Sequence, residues 1–417
     1  MGPLHKAREI NQDPTIYGTF AEIGAGQEVA RYFFLAGQAS QTVAKTMSAY
    51  DMTFSDEIYG REPSGRYVCQ NRLLRMLDKE YSLLERRLKE KRGATSRFFV
   101  LANTVATKSP KVRISHGWMG VTFQLTPLSA PNRVILHAKL LESNRLWQQE
   151  TLGVLGVNLL HACYYHYQSP ENLLQAITDG LKNSQLQIDF LSVEGEVFSR
   201  FHNVLLNVAL VNQGWSDATA ISPEGKVVLI SDEIYGKSIM VQRGHFYPPT
   251  KTHLEIPHRA LQLAKNEWGA DFSPKIFFEI SLDIIKNSYE KEIINQEALL
   301  HRIEMVNAIG YPVLITQFKE FYRTKELFRI STELPIIFII SARNLEKVFS
   351  PEYYHHLPGG WLEGLGKLLD EKTRLYVFPF KTPTECLTTK SLFLKSPNHL
   401  IFQYFLETQL VRDLAEC

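Results

Sequence analysis

The sequence predicts an α/β fold, with a Rossmann-like parallel sheet in the carboxy-terminal half and an α+β amino-terminal region before it. From about residue 226 onward, short runs rich in Ile, Val and Phe alternate with segments of helical periodicity, as in KIFFEISLD, YPVLITQF and LPIIFIIS. Strands that alternate with helices indicate βαβ units and a buried parallel sheet. Before residue 226, several strand-like runs are followed by helices, which is typical of an α+β domain.

These patterns divide the chain into three expected segments. Residues 1–96 are predicted to be a helical amino-terminal region, residues 97–225 an α+β domain, and residues 226–417 the Rossmann-like domain. The strongest helix of the first segment is the basic stretch NRLLRMLDKEYSLLERRLKEKR at 71–92, which has one apolar seam. Its terminal Lys and Arg residues are explained by the helix dipole, while contact with a partner stays open.

Composition and charge restrict the class of protein. The 46 Lys and Arg against 44 Asp and Glu leave a formal net charge of +2, which provides no overall field to attract nucleic acid. No stretch of about 18 uncharged apolar residues predicts a membrane helix. The four widely spaced cysteines do not match a zinc site and favour free thiols. We therefore expect a cytoplasmic protein without metal, nucleic-acid partner or membrane span, and the oligomeric state stays open.

A glycine-rich turn occurs in FAEIGAGQEVAR, at residues 20–31. A dinucleotide-binding fold would use Gly24 and Gly26 to bring backbone amides to a phosphate, with an acid such as Asp51 on the ribose. The third glycine of that motif is missing, and a plain helix start explains the turn as well. A strand ending near Ile23, paired with one ending near Asp51, would favour the cofactor interpretation.

The expected parallel sheet selects candidate binding residues, because ligands of open α/β sheets lie beyond the carboxyl ends of the strands. The polar residues that follow the predicted strands are Arg243, His245, Ser281, Asp283, Gln317, Lys319, Ser341, Arg343, Asn344 and Lys381. Cations with hydroxyl and amide donors favour an anion, above all phosphate. Loops at both ends of any sheet are polar, so a sheet without a site remains the alternative.

One of these loops carries a resemblance. The stretch RGHFYPPTKTH, at residues 243–253, resembles the first signature of nucleotidyltransferases of the nicotinate-nucleotide and phosphopantetheine adenylyltransferase type. The matching residues are Gly244, Phe246, Pro248, Thr250 and His253. The chain also resembles a group of uncharacterised bacterial proteins of similar length, which share FAEIGAGQEVAR and the α/β carboxy-terminal half.

The stretch also departs from the family pattern. Thr252 stands where the family has a glycine, and Pro257 predicts that the helix begins a turn later and leaves His253 in the loop. In the segment IISARN, Ser341 and Arg343 correspond to the second signature of the family, but with a shorter spacing than the family has.

The resemblance implies nucleotidyl transfer from ATP to a mononucleotide or a similar phosphate acceptor. The partner would be a nucleotide or phosphorylated small molecule, and Mg²⁺ would bridge the triphosphate. The implied catalytic residues are His245, Thr250 and His253, and the candidate nucleotide- or phosphate-binding residues are Arg243, Gly244, Lys251, Lys319, Ser341 and Arg343. The alternative is a non-catalytic α/β binding or scaffold protein that keeps the fold without the full catalytic set.

Overall fold

The computed structural model divides the chain into two compact units, Met1–Ser216 and Asp217–Cys417, which we call unit 1 and unit 2. The structure describes residues 1–24, 26–63, 65–107, 114–288, 295–381, 384–391 and 398–415. The expected boundary after residue 96 falls inside unit 1, because strands from both sides of it share one sheet. The second expected boundary, after residue 225, lies close to the observed one.

Unit 1 begins with a helix and contains strands on both sides of residue 96. In chain order its elements are α1 (Pro3–Gln12), β1 (Ile16–Gly24), α2 (Glu28–Ala36), β2 (Val43–Met47), α3 (Met52–Tyr59), α4 (Gln70–Arg92), β3 (Arg97–Ala106), β4 (Ser115–Phe123), β5 (Asn132–Leu140), α5 (Arg145–Tyr165), α6 (Pro170–Thr178), β6 (Leu186–Glu194) and α7 (Asn203–Asn212).

The described strands of unit 1 form a six-stranded sheet in the order β2-β1-β3-β4-β5-β6. Strand β1 is parallel to β2 and β3, and the pairs from β3 to β6 are antiparallel. Helices α1, α2, α5, α6 and α7 contribute to the main hydrophobic core, whereas α4 packs on β1, β3 and β4. The apolar seam of α4 consists of Leu74, Leu77, Tyr81, Leu84 and Leu88. Leu77, Tyr81 and Leu84 are buried, and the other two are half-buried.

The helical region expected over residues 1–96 also contains strands β1 and β2, and β1 lies inside the sheet. Its Gly18 explains how an unpromising sequence forms an interior strand. A Cβ atom at this position would lie 2.1 Å from the backbone oxygen of Phe99, so only glycine lets β1 approach β3 this closely.

Unit 2 alternates strands and helices as expected. In chain order its elements are β7 (Ala218–Ile221), β8 (Val227–Val228), α8 (Ile230–Ile234), β9 (Ile239–Arg243), α9 (Lys251–Trp268), β10 (Lys275–Ser281), α10 (Leu282–Ser288), α11 (Gln296–Ala308), β11 (Val313–Thr316), α12 (Phe321–Arg329), β12 (Ile336–Ser341), α13 (Ala342–Val348), α14 (Gly360–Leu368), β13 (Thr373–Phe378), β14 (Phe380–Lys381), β15 (Cys386–Leu387), α15 (Asn398–Glu407) and β16 (Val411–Asp413).

The main sheet of unit 2 has the order β16-β13-β12-β9-β10-β11-β7-β8. From β9 the chain moves outward through β10 and β11, then returns to the other side of β9 for β12, β13 and β16, with these six strands parallel. This is the Rossmann strand order, with its topological switch point between β9 and β12. The predicted Rossmann-like parallel sheet is confirmed.

The buried run of β12 shows why this sheet forms. Ile336, Phe338 and Ile340 belong to one hydrophobic cluster, whereas Ile337 and Ile339 belong to a second cluster that includes helix α9. A strand covered on both faces needs apolar residues at every position, which explains the continuous IIFII run.

Helix α9 begins at Lys251, so the predicted start near Pro257 is wrong and His253 lies inside the helix. Pro257 forfeits one hydrogen bond to the carbonyl of His253. The helix persists because Ile256, Pro257, Ala260 and Ala264 are buried, and because Thr250 and His253 form a capping box at its start.

The prediction of free thiols holds for only part of the chain. Among the described cysteines, Cys69 and Cys163 are thiols, whereas Cys386 is disulfide-bonded. Among the described helices, none combines the length and apolar character that crossing a membrane requires.

Candidate functional site at the switch point of unit 2

A cavity of about 340 Å³ lies at the carboxyl ends of β9, β10 and β12. Its polar and charged lining residues are Arg243, His245, Ser281, Asp283, Lys319, Ser341, Asn344, Lys347 and Tyr353. The strands that flank the topological switch point, β9 and β12, supply residues on opposite sides of it. The cavity therefore occupies the position where open α/β sheets bind their ligands.

The cavity contains some of the predicted site residues and leaves out others. The predicted residues that line it are Arg243, Gly244, His245, Ser281, Asp283, Lys319, Ser341 and Asn344. Thr250, Lys251, His253 and Arg343 are not among its lining residues.

Arg243 is bound to the protein's own carboxylate. Its Nε donates to Glu279 Oε2 at 3.0 Å and its Nη2 to Oε1 at 2.8 Å, which makes a bidentate ion pair between β9 and β10. Thr316 and Thr324 each donate a hydroxyl hydrogen bond of 2.9 Å to Glu279 Oε1. The side chain of Glu279 is fully buried and that of Arg243 is 6% exposed.

Further contacts of Arg243 hold the loop after β11 and the start of α12, where its Nη2 also donates to Thr324 Oγ1 at 3.0 Å. Its Nη1 donates to the backbone oxygen of Lys319 at 2.6 Å, and the Tyr353 hydroxyl donates to the same oxygen. The guanidinium also lies 4.0 Å from the centre of the Phe321 ring. Arg243 thus fixes the backbone of Lys319, while the exposed Lys319 side chain lines the cavity.

These contacts change the expected role of Arg243. The two guanidinium N–H groups that would bind a phosphate already bind Glu279, and this carboxylate neutralises the positive charge of Arg243. Among the described residues that line the cavity, Lys319 and Lys347 are the lysines and Asp283 is the carboxylate, so these three side chains give a net charge of +1.

His245 contributes a neutral imidazole to the cavity. Partial burial, and then the positive charge of Arg302, lower the pKa of His245. A histidine with a lowered pKa is uncharged at neutral pH and offers one donor and one acceptor.

Gly244 and Phe246, two residues of the adenylyltransferase resemblance, have a packing role. Phe246 is buried, has a φ of 48°, and packs with its ring centre 4.8 Å from that of Phe278. A Cβ atom on Gly244 would lie 2.8 Å from the Phe246 ring. The small residue is required here because the loop folds its own aromatic ring over position 244.

Thr250 and His253 cap helix α9. The backbone N–H of Thr250 donates to Nδ1 of His253 at 2.9 Å. Burial lowers the pKa of His253, which keeps this nitrogen unprotonated as an acceptor. The two residues satisfy backbone groups that a helix start leaves without partners.

The last two predicted phosphate-binding residues, Lys251 and Arg343, do not line the cavity. Lys251 is the exposed first residue of α9, and Arg343 is exposed with its guanidinium 5.3 Å from the Phe380 ring centre.

The glycine-rich turn of unit 1 follows β1, which ends at Gly24 and pairs in parallel with β2, which ends at Met47, four residues before Asp51. The strand arrangement that would favour the cofactor interpretation is therefore present, but the position of the phosphate is filled from within the chain.

The backbone amides that would bind a phosphate are already occupied, because the Glu22 carboxylate accepts hydrogen bonds from the N–H groups of Val29 and Ala30 at 3.2 Å each. Asn103 Nδ2 donates to the same carboxylate at 3.1 Å. A phosphate would have to displace this buried side chain.

The other residues of the dinucleotide interpretation also have internal roles. A Cβ atom on Gly26 would lie 2.1 Å from Asn103 Oδ1, so the glycine allows close packing. Asp51 caps helix α3 by accepting from the backbone N–H of Phe54 at 2.7 Å. The geometry favours a helix start capped from within the chain.

Sequence reasoning missed Lys347, Tyr353 and Glu279. The rule of strand ends selected only the first residues after each strand, whereas Lys347 lies three residues beyond Asn344, one helical turn further along α13. The signal for Glu279 was present, since a carboxylate inside the apolar run KIFFEIS requires a buried partner. The partner itself, Arg243, is 36 residues away.

Comparisons with known proteins leave the family open. The sequence matches no protein-family model and no curated protein. Among solved structures, the competence/damage-inducible protein CihA from Agrobacterium tumefaciens is similar over 37% of this chain and 88% of its own, with 16% identity and a TM-score of 0.26. A CinA-superfamily protein from Klebsiella pneumoniae covers 42% of this chain and 98% of its own, with 8% identity and a TM-score of 0.28. TM-scores this low do not establish a shared fold, so no property is transferred from these proteins.

We expect Arg243→Met to destabilise unit 2 by roughly 3–5 kcal/mol, because it leaves the buried Glu279 carboxylate without its cation. Lys319→Met is the control, and it should change stability by about 0.5 kcal/mol or less, since the Lys319 side chain is exposed. Hydrogen exchange of the β9 and β10 amides measures both. Equal effects of the two substitutions would contradict the structural role of Arg243.

Glu22 makes the stability of unit 1 depend on pH. Burial raises the pKa of Glu22 to about 7, against the hydrogen bonds from Ala30, Val29 and Asn103, which lower it. The folded state therefore holds a proton that the unfolded state releases near its ordinary pKa of 4.5. The resulting stability is present below that value and is lost as the pH rises through 7.

The matched variants are Glu22→Gln and Glu90→Gln, since Glu90 is exposed on α4 and is not among the groups that shift the pKa of Glu22. Between pH 5 and pH 8 the natural chain and Glu90→Gln should each lose roughly 2–3 kcal/mol of stability, whereas Glu22→Gln should not show this loss. Hydrogen exchange of the β1 amides at both pH values measures the difference. An unchanged pH dependence in Glu22→Gln would refute the assignment.

Proposed function

We propose that unit 2 binds a nucleotide or another phosphorylated small molecule in the switch-point cavity. The supporting observation is the position of the cavity between the loops that follow β9 and β12. Its volume of about 340 Å³ lies within the usual range for small-molecule sites.

The charges and donors of the cavity suit a phosphate. Lys319 and Lys347 provide positive charge without a burial cost, since both side chains are exposed. Ser341 and Asn344, at the start of α13, add a hydroxyl and an amide. Lysine binds phosphate as a point charge, so it suits a ligand whose orientation is set by other contacts.

The apolar part of the lining suits a flat ring. Phe321, Ile339, Val348 and Phe378 line the same cavity as the charged residues. Apolar walls with a few placed polar groups are typical of cofactor and nucleotide sites.

Nucleotidyl transfer is the finer form of this proposal. His245 lines the cavity and would contact phosphate, whereas the capping role of Thr250 and His253 favours the non-catalytic alternative. Mg²⁺ fits only together with ligand phosphates, because Asp283 is the carboxylate among the described lining residues and Mg²⁺ is commonly held by one or two carboxylates plus phosphate oxygens.

We expect ADP and inorganic pyrophosphate to bind and raise the unfolding midpoint. Lys319→Ala and Lys347→Ala should each weaken binding by roughly 5- to 10-fold, through the loss of about 1 kcal/mol of charge-assisted contact. Lys265→Ala is the control, since Lys265 is exposed on α9 and does not line the cavity. Calorimetry with and without Mg²⁺ measures the affinities, and equal losses in all three variants would contradict the site.

The same preparations distinguish binding from transfer. Incubation with ATP, Mg²⁺ and nicotinate or nicotinamide mononucleotide should give no pyrophosphate release above that of the His245→Ala variant. Release that requires His245 would favour the transferase over the binding protein.

A further inference from the structure

A chain of hydrogen-bonded titratable groups lies in unit 1, on strands β4, β5 and β6. His116 Nδ1 lies 2.9 Å from His137 Nε2, and His137 Nδ1 lies 2.5 Å from Asp189 Oδ1. His137 and Asp189 are buried, whereas His116 is half-buried. The chain thus runs from the interior of the unit toward its surface.

A β-bulge brings Asp189 into this chain. In the pairing of β5 with β6, His137 lies opposite Phe190 and Ala138 opposite Ile188, so Asp189 has no partner residue. Leu186 and Ile188 belong to the main core before the bulge, and Leu191 and Val193 belong to it after the bulge. Two consecutive residues, Asp189 and Phe190, are therefore directed to the other face of the sheet.

The bulge also places Phe190 against Trp118, which packs on His137. Phe190 has its ring centre 5.1 Å from that of Trp118, and the Trp118 ring is 5.0 Å from the imidazole of His137. Bulges that re-aim a side chain in this way are frequent next to active sites.

The hydrogen bonds determine which ring nitrogens carry protons. Burial raises the pKa of Asp189, but the charge that His137 carries once protonated, the charge of Lys139 and the hydrogen bonds from both residues outweigh it and lower the pKa, so the carboxylate is ionised. An ionised Asp189 requires Nδ1–H on His137, which leaves Nε2 of His137 as an acceptor. His116 must then donate from Nδ1, and its own Nε2 carries a lone pair.

We propose that Asp189, His137 and His116 form a proton relay that gives unit 1 a general acid–base site, with Nε2 of His116 as the atom that takes the proton of a substrate. The proton binds at Nε2 of His116, and the proton on Nδ1 of His116 moves to Nε2 of His137. His116 ends neutral with its proton on Nε2, and His137 ends as an imidazolium beside the Asp189 carboxylate.

The relay is needed because His116 does not hold a positive charge itself. Burial, and then the charge that His137 carries once it is protonated, lower the pKa of His116 to about 4, with smaller contributions from Lys139 and Arg66 and an opposing one from Asp189. Moving the charge to His137 places it next to a carboxylate instead.

The surroundings also indicate the class of substrate. The positive charge of Arg66 acts on His116, and an anionic small molecule that releases a proton from oxygen or nitrogen suits such a site. The relay lies in unit 1 and does not depend on nucleotide binding by unit 2.

Nitrogen-15 NMR of the full chain with labelled histidine tests the relay, with His116→Gln and His137→Gln used for assignment. At pH 8 His116 should carry its proton on Nδ1. When the pair takes up one proton on acidification, His137 should become an imidazolium and His116 should change to the tautomer with its proton on Nε2. Retention of the Nδ1 proton by His116, or formation of the imidazolium on His116 first, would overturn the proposal.

Two variants separate the relay from simple packing. Asp189→Asn should abolish the tautomer change, because no carboxylate remains to stabilise the charge on His137. Lys139→Met should preserve it and raise the midpoint of proton uptake by roughly one pH unit, since Lys139 lies 2.9 Å from Asp189 and opposes the added charge. A midpoint unchanged in Lys139→Met would contradict the relay even where Asp189→Asn does not fold.

A separate experiment tests whether His116 is accessible from solvent. Treatment with diethyl pyrocarbonate at pH 7, followed by mass spectrometry, should show modification of His116 and none of the buried His137. Absence of modification at His116 would overturn its role as the entry point of the proton.

Discussion

The ion pair between Arg243 and Glu279 determines what the switch-point cavity of unit 2 is able to bind. A fully buried carboxylate in a central strand is tolerated only with a paired cation and further hydrogen bonds, and Arg243, Thr316 and Thr324 supply them. The same guanidinium holds the backbone of Lys319, so the ion pair shapes the loop that forms one wall of the cavity. Positive charge for a ligand therefore comes from lysines at the rim.

A similar arrangement recurs where the sequence suggests phosphate binding. Glu22 accepts from the amides at the start of α2, and Thr250 and His253 cap the start of α9. In both places the chain's own side chains contact the backbone groups that a phosphate would use. Phosphate chemistry at these turns would require their displacement, whereas the switch-point cavity is open to a ligand.

The alternation of apolar runs with helical segments was sufficient to predict the Rossmann-like sheet, because strands buried on both faces have a distinctive composition. The rule of strand ends also predicted seven lining residues of the cavity, including His245 and Lys319. This rule does not predict contacts between residues that are far apart in the sequence. Nothing in the sequence around Arg243 indicates that Glu279 is its partner. Strand β1 was missed because the close approach of β3 at Gly18, which requires a glycine there, is a tertiary effect.

The most direct test of this account is a crystal structure of the full chain with bound ADP. The account predicts that phosphate oxygens contact the Lys319 or Lys347 side chains between the ends of β9 and β12, while Arg243 stays on Glu279. A phosphate bound by the Arg243 guanidinium, with the Glu279 pair broken, would contradict the claim that Arg243 is structural. ADP bound outside the cavity would contradict the assignment of the site.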